Sequence, residues 1–428
     1  LVKLLCREGI SVTACDRRSR ADLGELAGEL EGAGAALQLG DGYLENLTQD
    51  VIFRTPGLRP DVPQLREAVA RGSVLTSEME EFFHVCPCPI IAVTGSDGKT
   101  TTTTIIAELL RAAGKDRPRR RQHRPPAACE AGEMAQTDWA VLELSSFQLM
   151  TMDVSPHIAV MTNLAPNHLD VHRDMDEYVE SKANIFCHQQ PGDIAVFNLD
   201  NNITRGLGGE CASQVRWFSR REEPAEGVFL RGESIICRRS GQEREVLRTT
   251  DIKIPGVHNV ENYMAAIAAV DGLVPDEVIR RFAREFGGVE HRIELVRTYR
   301  GVKFYNDSIA SSPSRTIAGL RSFKQQVILI AGGYDKHIPF DVLGPEVVEH
   351  VKLLILCGAT ADKIRAAWKT PPATSRASPR FSMSHPLNAR WRRRATARRT
   401  GDIVTLSPAC AALTSSRTSW SAADVKRL

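Results

Sequence analysis

Ile90-Ile91-Ala92-Val93-Thr94-Gly95-Ser96-Asp97-Gly98-Lys99-Thr100-Thr101 decides the fold. The first five residues are β-branched or small and apolar and read as a buried strand, the next form a glycine loop, and Thr104–Gly114 reads as a helix. A strand that passes through a glycine loop into a helix is the setting in which a loop holds phosphate. Glycines let backbone N–H groups close on phosphate oxygens, and the helix start adds the positive end of its dipole. Lys99 reaches the β- and γ-phosphates, and Thr100 is placed to ligate Mg²⁺. Gly95, Ser96, Asp97, Gly98, Lys99, Thr100 and Thr101 are therefore candidate ATP-binding residues. Val93 stands where the general phosphate-loop motif has its first glycine, so the reading rests on the Gly-Lys-Thr-Thr run and its setting.

Downstream, the strand Trp139–Leu142 delivers Glu143, followed by Leu144-Ser145-Ser146-Phe147-Gln148. A further strand, His157–Met161, leads to Asn163-Leu164-Ala165-Pro166-Asn167-His168-Leu169-Asp170. Ligands of open α/β sheets gather at the carboxyl ends of the strands, which predicts Glu143 and His168 on the same edge as Lys99. A carboxylate and an imidazole there suit a second divalent ion; taken singly, each also reads as a helix cap or a satisfied core histidine. Tyr178–Phe186 reads as an amphipathic helix presenting Lys182, which composition alone makes a solvated surface lysine.

Outside this centre the alternation of strands and helices continues. Ser11–Cys15 ends in Asp16, Val51–Arg54 ends in Thr55-Pro56-Gly57, and Pro63–Arg71 reads as a helix. Such βα alternation predicts a parallel sheet. After an alanine-rich helix near Gly256–Ala269, a new alternation begins: Val302–Tyr305 ending in Asn306-Asp307-Ser308, Val327–Ile330 ending in Ala331-Gly332-Gly333-Tyr334-Asp335-Lys336, and Leu353–Cys357 ending in Gly358. The expectation is an α/β protein of three domains, each with a mostly parallel sheet: Rossmann-like over 1–88, a phosphate-loop ATPase over 89–290, and dinucleotide-fold-like over 291–428.

The 428 residues, 42% hydrophobic and 25% charged, suit soluble globular domains, and no apolar run approaches the roughly 20 residues that span a bilayer. The chain opens at Leu1 inside an apolar stretch with no initiator Met, which reads as a truncated start. Ten cysteines without a C-x-x-C pair read as core residues of a reducing compartment; Cys86 and Cys88 flank a proline and form the one conceivable metal pair. The net charge of +3 is unevenly spread. Residues 116–129 hold five Arg and one Asp, and 366–400 hold nine Lys and Arg and no acid, which leaves the remainder acidic. An acidic body with two basic inserts does not read as a nucleic-acid binder.

In this order, Thr94–Thr101, Glu143–Leu149, Asn163–Asp170, Lys182, Gly256–Asn262, His291–Glu294, Asn306–Pro313 and Gly332–Lys336 resemble the muramyl (Mur) ligases, over most of 1–365 and Gly401–Ala412. The run Glu-Leu-Ser-Ser-Phe-Gln-Leu at 143–149 points to the D-glutamate-adding member. The resemblance implies a cytoplasmic, monomeric enzyme of peptidoglycan precursor synthesis. It uses ATP and Mg²⁺ to join D-glutamate to UDP-N-acetylmuramoyl-L-alanine through an acyl phosphate, with a C-terminal domain that closes to bring in the amino acid. It also implies roles for individual residues. Lys99, His168 and Lys182 serve catalysis; Thr100, Glu143, His168 and a carbamylated Lys182 serve the metals. Asn262, Arg292 and Asp307 join the loop in binding ATP. Ser145 and Gln148 meet the muramoyl substrate, Lys336 and Ser407 the D-glutamate, and Asp16 with Arg17 the uracil end. Ile309 stands where other members often have Lys, with Ser311 and Ser312 as stand-ins. Folate polyglutamate synthesis shares the phosphate loop but not Glu143–Leu149.

Three stretches, 116–129, 366–400 and 413–428, lack both periodicity and family motif and read as shifted reading frames. Arg120-Arg121-Gln122-His123-Arg124 stands where the family has Gly-Gly-Asn-Ile-Gly, and one set of codons yields both runs one base apart. A catalytically impaired nucleotide-binding relic is the alternative that these segments raise.

Overall fold

The computed structural model describes residues 1–114, 134–166, 171–289, 292–310, 313–333, 340–368, 380–383 and 401–407. The segments 116–129 and 413–428 and most of 366–400 lie outside the described residues, as do His168, Ser311, Ser312 and Lys336. The chain divides into two units: residues 1–248 with 261–280, and residues 249–260 with 281–428.

In the first unit, the N-terminal alternation forms two separate parallel pairs rather than one sheet. Strand β1 (Thr13–Asp16) pairs with β2 (Ala36–Leu39), and β3 (Val51–Phe53) with β4 (Val74–Thr76). These strands are only three or four residues long and mostly half-exposed. Leu65 and Ala68, from the helix Pro63–Ala70, pack with Leu47 under the second pair. Arg54 follows β3 and is buried, where it donates to the Leu58 carbonyl at 2.7 Å and to the Phe147 carbonyl at 2.8 Å. Arg59 grips Asp61 at 2.8 Å and Glu177 at 2.9 Å. These two arginines tie the N-terminal segment to the elements that follow.

The main sheet of this unit has eight strands. Strand β5 (Ile90–Thr94) lies between β6 (Ala140–Glu143) and β7 (Ile158–Met161), and beyond β7 come β8 (Ile194–Asn198), β9 (Gln214–Ser219), β10 (Gly227–Arg231), β11 (Ser234–Arg239) and β12 (Gln242–Arg248). Pairing is parallel from β6 through β10 and antiparallel from β10 to β12. The β11–β12 turn is Ser240-Gly241, both with positive φ, the two-residue loop that matches strand twist. All five residues of β5 are buried, as a strand covered on both faces requires. Its neighbours β6 and β7 are reached in opposite directions along the sheet, so the chain reverses order at the carboxyl end of β5. Crevices at such switch points are where α/β sheets bind ligands.

The second unit has a six-stranded sheet. The hairpin β13 (Glu294–Tyr299) and β14 (Val302–Asn306) is antiparallel, and β14 runs parallel to β18 (Ile403–Leu406). Next in order are β15 (Val327–Gly332), β16 (Val351–Cys357) and β17 (Arg380–Met383), all parallel. Its core lies on both faces of β15: Val327, Leu329 and Ala331 on one, Ile328 and Ile330 on the other. That alternation is the period-2 pattern of a strand.

Candidate active site at the carboxyl edge of the main sheet

The loop after β5 is held in shape by the loop after β7. The Ser96 N–H donates to the Asn163 carbonyl at 2.8 Å, and the Asp97 N–H to Asn163 Oδ1 at 2.9 Å. The Ser96 hydroxyl meets the Ala165 carbonyl at 2.9 Å and Tyr178 Oη at 3.0 Å, and Thr162 Oγ1 donates to the Asp97 carbonyl at 2.6 Å. Asn198, at the end of β8, fixes the Thr162 carbonyl in turn at 2.9 Å.

Two glycines are required by this geometry. Gly95 has φ +145°, and a Cβ there would overlap Thr162 Oγ1 and lie 3.1 Å from the Asn163 carbonyl oxygen. Gly98 has φ +82°, and a Cβ would stand 2.5 Å from Asn262 Oδ1. Gly98 is also the N-cap of the helix Lys99–Ala112 and gives it no side-chain cap, which suits that end to an anion. Lys99 Nζ donates back to the Gly95 and Ser96 carbonyls at 2.9 and 3.1 Å, so its charge sits over the loop. Buried Asn262 accepts from Thr102 Oγ1 at 3.3 Å, which places a second expected ATP contact beside the loop. Gly95→Ala is expected to cost about 1–3 kcal/mol of stability through backbone strain and overlap. It should also weaken nucleotide binding. Denaturant melts and nucleotide titrations check this, and an unchanged melt would contradict the described cradle.

Glu143 closes β6 in register with Val93 of β5, so it shares the edge with Lys99. Lys182 is not the solvated lysine that composition favours: it is 2% exposed, and its Nζ donates to Thr94 Oγ1 at 3.0 Å. The helix Met175–Cys187, capped by Asp174, turns Tyr178, Ser181, Lys182 and Ile185 inward together. Burial drives the Lys182 ammonium well below the usual lysine range; the Lys99 charge adds to this and Glu143 opposes it. Lys99 and Glu143 thus both act on the Lys182 ammonium at one sheet edge.

Ser145 and Gln148 form a reciprocal capping box at the start of the helix Ser146–Leu149. Ser145 Oγ accepts from the Gln148 N–H at 3.3 Å, and Gln148 Oε1 accepts from the Ser145 N–H at 2.9 Å. His172, which the sequence reading passed over, is buried against this segment. Its ring stacks on Phe147 at 5.2 Å, Nε2 meets Ser146 Oγ at 2.9 Å, and Nδ1 lies 3.5 Å from Glu177. Asn163 and Tyr178 stood in the motif Asn163–Asp170 and the helix Tyr178–Phe186, but neither was given a role. Near the N-terminus, Asp16 is bound by Arg18 rather than by its neighbour Arg17, with contacts at 2.8 Å to the backbone N–H and 2.8 Å to the guanidinium. Those contacts hold its carboxyl down at about 2.

In the second unit Gly332 ends β15, and Asp307 and Ser407 directly follow β14 and β18. Asp307 Oδ1 accepts from the Ile293 N–H at 3.2 Å, and Ile293 adopts φ +44°, a strained value for a β-branched residue. Ser407, also buried, shares a hydrogen bond of 2.9 Å with Thr316. Burial pushes the Asp307 carboxyl up to about 7, against the Ile293 N–H, Arg292 and Ser407, which lower it. Since the unfolded value is about 3.9, folding favours the protonated form. Its contribution to stability is complete below that value and is lost as pH rises through 7. Asp307→Asn should therefore show a melting temperature that, relative to wild type, rises between about pH 4 and 7. A constant difference across that window would contradict the assignment.

Comparison with known proteins bears on this site. Residues 93–270 match the model of the Mur ligase middle domain, and residues 291–410 that of the Mur ligase, glutamate ligase domain. The chain is 48% identical over 418 residues to the UDP-N-acetylmuramoylalanine--D-glutamate ligase of Acetivibrio thermocellus, covering 96% of this chain and 89% of the relative. It is 50% identical over 370 residues to the ligase of that name from Ruminiclostridium cellulolyticum, covering 86% and 80%. Among solved structures, it superposes on MurF from Acinetobacter baumannii with a TM-score of 0.61 at 16% identity, covering 94% of this chain and 89% of that one. MurF ligase from Thermotoga maritima in complex with ADP gives 0.59 at 16% identity, covering 93% and 94%. At such identities the likeness shows the fold alone.

Proposed function

The chain belongs to the Mur ligase family, and from that premise we propose how its residues share the work of an ATP-dependent ligase. It adds D-glutamate to UDP-N-acetylmuramoyl-L-alanine in peptidoglycan synthesis. The observation that carries the residue assignment is the cradle after β5: two glycines that admit no side chain, an uncapped helix start, and Lys99 folded over the loop.

A carboxylate is a poor electrophile. When bound, ATP supplies the phosphoryl group that converts it to an acyl phosphate, from which the D-glutamate amine displaces phosphate. Catalysis is then mostly positioning and charge neutralisation. We assign Gly95–Thr101, Asn262, Arg292 and Asp307 to ATP, with Lys99 over the transferring phosphate. Ser145 and Gln148 are assigned to the muramoyl substrate, with His172 holding their short helix through Ser146. Lys336 and Ser407 are assigned to D-glutamate, and Asp16 and Arg17 to the uracil end. We infer three domains, divided near residues 88 and 290.

Thr100, Glu143, His168 and Lys182 are assigned to Mg²⁺. Among the described residues no group of three or more His, Cys, Asp or Glu is placed to hold a metal ion. A buried Lys182 that favours its neutral amine supports its place in this set: such an amine adds to CO₂ with loss of a proton, giving an anionic carbamate. Among the described residues no helix is long and apolar enough to cross a membrane. We place the enzyme in the cytoplasm as a monomer.

The test is phosphate release from ATP in the presence of UDP-N-acetylmuramoyl-L-alanine. Release that requires D-glutamate, with an amide product of matching mass, is expected. ATP bound without turnover would instead support the impaired relic.

A further inference from the structure

The Cys86-Pro87-Cys88 segment joins the helix Glu78–Val85 to β5, at the opposite end of that strand from the phosphate loop. Cys86 is the C-cap of the helix, with extended backbone, and its N–H donates to the Phe82 carbonyl. The backbone then bends at Cys88, so the two cysteines face each other across Pro87. The two sulfurs consequently stand 3.6 Å apart, and Cys86 Sγ also lies 3.4 Å from the Cys88 carbonyl oxygen. The sulfurs are unequal in access: Cys86 is half-exposed, whereas Cys88 is 3% exposed and packs with Phe82, Ile90 and Ala140.

A metal would need more donors than this pair, and among the described residues no third or fourth His, Cys, Asp or Glu completes a set. Two thiols in contact, one reachable and one shielded, suit a different chemistry. We propose that Cys86 and Cys88 form a thiol pair that closes to an intramolecular disulfide by exchange with a small-molecule disulfide. The Cys86 thiolate attacks one sulfur of the external disulfide, forming a mixed disulfide and releasing one thiolate. The Cys88 thiolate then attacks Cys86 Sγ, forming the Cys86–Cys88 bond and releasing the second thiolate. The two protein thiols are oxidised, the external disulfide is reduced to two thiols, and the two protons lost from the cysteines go to the released thiolates. Burial first, and the adjacent Cys86 second, push the Cys88 thiol up to about 12, which assigns the first attack to Cys86. Because the pair lies at the amino end of β5, closure leaves the phosphate loop in place, and ATP turnover is expected to persist in the oxidised protein.

The folded full-length chain is incubated with oxidised glutathione, its remaining free thiols are alkylated in denaturant, and it is digested with trypsin. The peptide Gly72–Lys99 contains Cys86 and Cys88 and no other cysteine. It is expected to be unalkylated and lighter than its dithiol form by two hydrogen atoms. In Cys88→Ser the same peptide should instead carry glutathione on Cys86, because nothing resolves the mixed disulfide. Recovery of a doubly alkylated peptide from the wild-type chain, or of a stable glutathione adduct there, would overturn the proposal. So would disulfides linking this peptide to others in preference to closure within it.

Discussion

Lys182→Met is expected to lower D-glutamate-dependent phosphate release by at least about 10²–10³-fold, the scale on which single electrostatic partners of a transition state act. The same substitution should leave the melting temperature unchanged or raise it. Lys182 is buried, and among the described residues its amine meets the Thr94 hydroxyl at 3.0 Å and the Tyr178 ring at 5.1 Å, both neutral. Holding an ammonium there is unfavourable, so an apolar chain of similar length is tolerated by the fold. Were the lysine only structural, the melt would fall and turnover would follow it. If it works as a carbamate, wild-type turnover should also drop in CO₂-depleted buffer and recover with bicarbonate, while Lys182→Met responds to neither. Stopped turnover with an intact melt, together with the bicarbonate response, is the combined signature to be measured.

Lys99→Ala should have a comparable effect, about 10²–10³-fold or more in turnover, with nucleotide affinity reduced as well. The Nζ lies over the Gly95 and Ser96 carbonyls, at the start of a helix whose cap is a glycine. Removing it deletes the point charge that a transferring phosphoryl group meets and also one tie across the loop. Lys99→Arg should recover little, since a planar fork does not reproduce a compact ammonium in a cradle this tight. A steady-state comparison of the three proteins, with melts as control, checks both statements. Arginine activity within a few-fold of wild type would mean that position 99 supplies charge without geometry.

How much of this was legible in advance differs by residue, and the reasons are physical. Ile90–Thr94 and the glycine loop announced themselves because a fully buried parallel strand is a continuous apolar run, and the helix begins where the glycines end. In the second unit β15 was found for the same reason, β14 and β16 by their apolar pattern, and β13, β17 and β18 were not read. The N-terminal segment read as one parallel sheet yet forms two short pairs, since three- and four-residue strands carry too few side chains to fix their pairing by pattern.

Lys182 was assigned only by resemblance, although a signal was present: it lies four residues after Tyr178 and three before Ile185, on the stripe that the helix buries. Ser145 and Gln148 carried the S-x-x-Q spacing of a capping box, and the structure uses it so. His172 had no such marker. Its burial depends on Phe147 and Glu177, which approach from separate elements, and only the tertiary fold brings them together. Arg54 and Arg59 were hidden likewise, because their partners lie some hundred residues away in sequence.

The most direct test of the central claim is a crystal structure of the chain with Mg²⁺ and a non-hydrolysable ATP analogue. The β- and γ-phosphates are expected at the start of the helix Lys99–Ala112, with Lys99 Nζ within about 2.7–3.1 Å of their oxygens. Phosphates bound anywhere other than the carboxyl edge of β5, with Lys99 still turned onto its own loop, would contradict it.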